Sequence, residues 1–195
     1  MRWYWIFLLT VYLSACSALT EEPGSGTDQP TPVVKAQLTA RPTATGTQLE
    51  VLGTAPELEN EVWLNVDRPL RLAGLRDRVV LLDMWTFGCV NCRNVISSLR
   101  EWHTKYGEQG LVVIGDHYPE FSFEHDLENL IDAIRRLDIP YAVAQDNQGL
   151  TWRAYNNRYW PTLCLIDKKG RIRFLHIGEG GYGEIEAVIQ ELLAE

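Results

Sequence analysis

Apolar positions divide the chain into three kinds of segment. They are nearly continuous from Trp3 to Leu13, sparse from 17 to 47, and beyond about residue 48 they alternate between short solid runs and periodic stretches. Arg78-Val-Val-Leu-Leu-Asp-Met-Trp85 is an almost unbroken run of strand length, the pattern of a central strand buried on both faces. From Cys92 onward the period becomes helical. Val95, Leu99, Trp102 and Tyr106 recur on one face, with Arg93, Arg100, Glu101 and Lys105 between them. Leu111 to Ile114 predicts a second buried strand. Ser122 is a candidate N-cap with Glu124 and Asp126 in the first turn, ahead of a helix that shows Leu127, Leu130, Ile131, Ile134 and Leu137 on one side. Tyr141 to Ala144 reads as a short strand and Trp152 to Tyr155 as a helical turn. Leu163 to Asp167 and Arg171 to His176 flank Lys168-Lys-Gly170 as a hairpin. Ile185, Val188, Ile189, Leu192 and Leu193 stripe a closing helix, and Trp63, Trp102 and Trp152 read as core. The sum is an α/β layer fold.

The first segment is too short to span the roughly 30 Å of a bilayer's hydrocarbon. It follows one cation, Arg2, and precedes acidic, glycine-containing sequence (Glu21, Glu22, Gly24), the anatomy of a secretory signal over residues 1–15. Leu13-Ser-Ala-Cys16 resembles a bacterial lipobox, so Cys16 is the expected lipidation site, and a lipid there anchors a protein to a membrane without spanning it. A plain signal peptide with an incidental cysteine is the alternative. Residues 16–47, rich in Ser, Thr, Pro, Gly and Gln, bury too little surface to offset ordering entropy and read as a tether. Residues 48–195 form one domain's length of ordinary globular composition. A net charge of -8 with scattered cations and no basic run gives nucleic acid no foothold as a partner.

Composition leaves the cysteines to carry the chemistry. With Cys16 lipidated, the exported part holds Cys89, Cys92 and Cys164. Zinc needs four ligands, usually with a second close pair. None exists, and His103, His117, His125 and His176 share no ligand spacing. A staple closing so small a loop would remove little unfolded-state entropy. A redox dithiol remains, placed where a strand ends and a helix begins. There Cys89 meets the unpaired N–H groups of the first turn, and Cys92, three residues on, lies deeper on the same side. Cys164, inside an apolar run, reads as core packing.

The stretches Pro69-Leu-Arg-Leu-Ala-Gly-Leu75, Trp85-Thr-Phe-Gly-Cys-Val-Asn-Cys92, Gly110-Leu-Val-Val-Ile-Gly115, Pro119-Glu-Phe121, Tyr159-Trp-Pro-Thr162 and His176-Ile-Gly-Glu-Gly180 resemble the thioredoxin-like thiol–disulfide oxidoreductases. The likeness is to the exported TlpA/ResA type, and most of all to thioredoxin-like domains fused to DipZ-type membrane electron carriers. It runs from Ala55 to Leu193. It implies a thioredoxin-like fold, a central mixed sheet flanked by helices, with Tyr118 to Pro140 as an inserted strand-linking helix. It further implies Cys89 as attacking thiol, Cys92 as resolving thiol, and a redox-active disulfide between them. Pro161 would be a cis-proline facing them, and Trp160, Pro161 and Trp85 would bind substrate. Asp83 would be the buried acid that relays a proton to Cys92; a strand-end aspartate facing solvent is the alternative. No cofactor is implied. The implied partners are exported proteins with disulfides, for instance apocytochrome c, and a membrane thiol carrier of CcdA/DipZ type; the implied location is extracytoplasmic.

Three departures stand out. Ser97 occupies the place of the helix-kinking proline, so the helix should run straighter. Val90-Asn91 replaces Gly-Pro between the cysteines. Asp116 closes a strand where an apolar residue is usual; with His117 and Tyr118 it should lie on the same sheet edge as the cysteines, with solvation or capping as its expected role and a substrate-facing one as the alternative. Two rival readings differ in class. Thr86-x-x-Cys89 resembles the peroxiredoxin spacing, but Leu82 stands where the proline is expected. A copper carrier would need a histidine beside the thiols, with His176 as candidate.

Overall fold

All seven residues of Val79–Trp85 are buried, and this apolar run lies at the centre of the sheet. The structure, a computed structural model, describes residues 49–195; the signal segment, Cys16 and the tether to residue 47 lie outside the described residues. In chain order the elements are β1 Gly53–Thr54, β2 Val62–Leu64, β3 Val79–Trp85, α1 Val90–Tyr106, β4 Leu111–His117, α2 Leu127–Arg136, β5 Ala142–Gln145, α3 Leu150–Ala154, β6 Thr162–Ile166, β7 Arg171–Ile177 and α4 Tyr182–Ala194. The seven strands run in the order β1-β7-β6-β3-β4-β5-β2. β3, β4 and β5 are parallel neighbours, while β6 pairs antiparallel to both β3 and β7.

Alternation along β3 sorts its side chains onto two faces. Val79, Leu81 and Trp85 meet Val95 and Leu99 of α1 and Ile189 and Leu192 of α4. Val80, Leu82 and Met84 meet Leu58, Leu72, Cys164 and Ile166 on the other side. Each such side chain leaving water contributes roughly 1.5–3 kcal/mol, which holds the strand rigid up to the end that carries the chemistry. α1 is continuous through Ser97, whose hydroxyl bonds the Asn94 carbonyl at 3.3 Å.

The inserted segment differs from its sequence reading at two points. Asp126, not Ser122, caps α2, its side chain accepting the Asn129 N–H at 3.0 Å. Ser122–His125 is a separate 3-10 turn, and Glu124 within it is buried rather than a solvated first-turn acid. β4 extends three residues past its apolar run, because Gly115, Asp116 and His117 continue the ladder opposite Asp83, Met84 and Trp85. Asp116 is therefore buried, not solvated or capping. It accepts from the Asn60 amide at 3.3 Å, and Asn60 in turn accepts the Thr151 hydroxyl at 2.6 Å. Trp152 is half-buried: it packs against the cluster behind β3, stacks on Tyr118 at 4.7 Å and lies tilted beside Trp160 at 4.5 Å, so it joins the core to the aromatic rim.

Candidate active site

β3 delivers the chain into the loop Thr86-Phe-Gly-Cys89, and Cys89 is the N-cap of α1. Its backbone is extended, and its sulfur accepts the Cys92 N–H at 3.3 Å. This satisfies one of the donors that every helix start leaves unpaired. Cys89 is partly exposed, Cys92 fully buried, and both are free thiols. Burial pushes the Cys92 thiol well above its ordinary range, with the Asp83 charge and the contact with Cys89 adding to it. Arg93, the cation next to the pair, spends its guanidinium on the carbonyls of Phe87 (2.9 Å) and Gly88 (3.0 Å).

Asp83 lies on the α1 face of β3, fully buried between Gly115 of β4 and Leu163 of β6 in the ladder. Among the described residues neither carboxylate oxygen has a hydrogen-bond partner. Burial raises its carboxyl to about 8, the range in which an acid exchanges protons near neutrality.

The Trp160–Pro161 bond is cis. Pro161 is buried and accepts the Gly178 N–H through its carbonyl at 2.8 Å. Trp160 lies half-buried in its stack with Tyr118 (5.9 Å) and Trp152. Trp85, expected among the substrate-binding residues, is fully buried: its ring sits over Gly115 and edge-on to His117 at 5.4 Å. It supports the site from beneath and offers no surface to a substrate. Cys164 is buried on β6 opposite Leu82, on the face away from α1, and burial pushes its thiol up to about 12. His176 sits on β7 with its ring against Gly181.

Beneath the dithiol loop lie two polar side chains with no local signature in the sequence. His117 stacks on Phe87 at 5.2 Å with its Nε2 3.3 Å from the Thr86 hydroxyl. Burial lowers its imidazole to about 4, so it is neutral at ordinary pH. Glu124 receives the Thr86 hydroxyl and the Gly88 N–H. Their partners stand some thirty residues away in the chain, beyond the reach of any spacing rule.

An accessible N-cap thiol, a buried second thiol and a buried acid can together perform dithiol exchange. The sequence pattern of the AhpC/TSA family matches residues 51–175. The chain belongs to the AhpC/TSA family. This AhpC/TSA chain is 42% identical over 149 residues to Protein DipZ of Mycobacterium tuberculosis, a match covering 75% of the chain and 21% of DipZ, so it spans about a fifth of that relative. It is 27% identical over 141 residues to the thiol-disulfide oxidoreductase YkuV of Bacillus subtilis, covering 72% of the chain and 94% of YkuV. The crystal structure of the thioredoxin-like superfamily protein SPOA0173 superimposes with a TM-score of 0.69 at 28% identity, covering 73% of the chain and 97% of that protein. Within the AhpC/TSA family the chain has the thioredoxin-like fold.

Proposed function

We propose that the chain is a lipid-anchored, extracytoplasmic dithiol reductase that opens disulfides in exported proteins. The observation that carries the reading is the partly exposed Cys89 held at the start of α1 above a fully buried Cys92 and Asp83. The Cys89 thiolate attacks a client disulfide; a Cys89–client S–S bond forms, the client's own S–S bond breaks, and one client sulfur leaves as thiolate and takes a proton. Asp83 then accepts the Cys92 proton. Cys92 attacks Cys89, closing the intramolecular disulfide and releasing the second client thiol. The domain has lost two electrons, which a membrane-embedded thiol carrier returns by the reverse exchange. The likeness to DipZ supports such a donor. The backbone at Trp160 and cis-Pro161 would pair with an extended client segment.

The direction of flow rests on electrostatics. A strong oxidant needs a stabilised thiolate, with potentials near -120 mV at the extreme. Arg93 directs its guanidinium at the loop carbonyls and His117 is neutral, so neither is a cation paired with the Cys89 sulfur. Equilibrated against glutathione, the Cys89–Cys92 couple is expected to hold mainly the disulfide, with a potential nearer the roughly -270 mV of thioredoxin. A couple as strongly dithiol-favouring as the oxidising extreme would reverse the assignment. The peroxidase reading meets an obstacle in Thr86, whose hydroxyl already donates to Glu124.

The lipid on Cys16 and a tether with a root-mean-square span of roughly 30 Å would let the domain alternate between a membrane donor and nearby clients. In a bacterial host the full chain is expected in the membrane fraction and Cys16→Ser in the soluble one. Membrane retention of Cys16→Ser would refute lipid anchoring.

A further inference from the structure

Glu124 belongs to the inserted segment between β4 and α2, yet its side chain ends under the dithiol loop. It is fully buried, and both of its oxygens are engaged. Oε1 accepts the Thr86 hydroxyl and the Gly88 N–H, the latter at 2.7 Å. Oε2 accepts the N–H groups of Glu120 and Phe121, each at 2.7 Å. The fit depends on Gly88, where a Cβ would lie 2.7 Å from Oε1. Burial works against the charge, but these four bonds outweigh it and hold the carboxyl below its ordinary range.

Three of the four donors are backbone N–H groups, which cannot turn to accept. A glutamine here has one acceptor oxygen, and whichever way its amide is turned, its NH2 faces at least one backbone N–H. Charge-assisted bonds to N–H groups are also about twice as strong as neutral ones. Only an ionised carboxylate satisfies the whole set, and a buried unsatisfied donor is costly.

We propose that Glu124 is the positioning residue of the dithiol: it clamps the Thr86–Cys89 loop to the insert and so holds Cys89 against Cys92 in the geometry that favours their disulfide. The inference rests on the reading of Cys89 and Cys92 as an exchanging pair. Disulfide stability in such a pair depends on the effective concentration of one thiol at the other, which pre-organisation raises. Freeing the loop lowers it and shifts the couple toward dithiol.

The test is the glutathione equilibrium of the full chain carrying Glu124→Gln. With folding verified by near-ultraviolet circular dichroism, the equilibrium is expected to move roughly tenfold toward the dithiol, about 30 mV in potential. Thr86→Val keeps the carboxylate and its three backbone bonds, so its equilibrium should stay within about threefold of wild type on the same scale. A folded Glu124→Gln with the wild-type equilibrium, or a Thr86→Val shift as large as that of Glu124→Gln, would overturn the clamp. Should Glu124→Gln not fold, amide exchange in the wild type decides: the Gly88, Glu120 and Phe121 protons must be protected like those of β3, and free exchange at these sites overturns the proposal. A wild-type pair that forms no disulfide with glutathione would sink the exchange reading instead, while the exchange data still judge the clamp.

Discussion

Cys92→Ser is expected to accumulate mixed disulfides with disulfide-bearing proteins through Cys89, and Cys89→Ser almost none. The asymmetry follows from where α1 begins. Cys89 is its N-cap and partly exposed, so an incoming disulfide can reach the sulfur, which accepts the Cys92 N–H at 3.3 Å. Cys92 has no exposed surface, and burial holds its thiol protonated far above neutral pH. Without Cys92 the adduct has no internal attacker and persists; without Cys89 no adduct forms at an appreciable rate. Non-reducing gels with mass spectrometry should show abundant adduct for Cys92→Ser and little or none for Cys89→Ser, following the access of each sulfur. Comparable trapping by both variants would undo the assignment of roles.

How much of this was legible beforehand depended on the range of each interaction. β3, α1 and the cysteine pair at their junction could be read directly, because a solid apolar run and a helical period are local signals. The burial of Asp83 was not local: alternation places it on one face of β3 without saying that α1 covers that face, and the resemblance supplied the expectation. The sequence places Asp116 and His117 at the sheet edge that carries the cysteines but not their burial, because polar side chains at a strand end look solvated until their partners are known. Those partners, Asn60 for Asp116 and Thr86 for His117, come from distant segments. Glu124 shows the same limit most sharply, since an acid two residues past Ser122 fits a first turn equally well. Only the fold shows its carboxylate turned back to Gly88. Trp85 departs from its expected place among the substrate-binding residues for a geometric reason. The aromatic at the strand end points inward over Gly115, where no side chain competes for space, whereas the one in α3 stacks at the rim beside Trp160.

Asp83→Asn is expected to stabilise the protein increasingly as pH rises while slowing release of the client. An unfolded chain titrates this carboxyl near its ordinary 3.8, and the folded one near about 8. Between those values the folded protein holds the extra proton, so unfolding stability falls as pH rises and levels off above about pH 8. At 1.36 kcal/mol per unit, the loss amounts to roughly 4–6 kcal/mol for this fully buried group. Asparagine removes the titration with little change in shape. Asp116, also raised by burial, is present in both proteins and largely cancels in their difference. Denaturant unfolding at pH 5 and pH 9 should therefore show the stability difference between variant and wild type growing by several kcal/mol. Parallel stability curves would mean that Asp83 does not carry the buried titration. The functional cost has the same origin: the carboxylate that is expensive to bury is the acceptor for the Cys92 proton. Its loss should slow resolution of the Cys89–client disulfide by roughly a hundredfold or more, the usual worth of a positioned base, while the first attack by Cys89 keeps its rate. A stabilised variant that accumulates the mixed disulfide is the expected signature, because the same desolvation that weakens the fold places the proton acceptor near neutral pH.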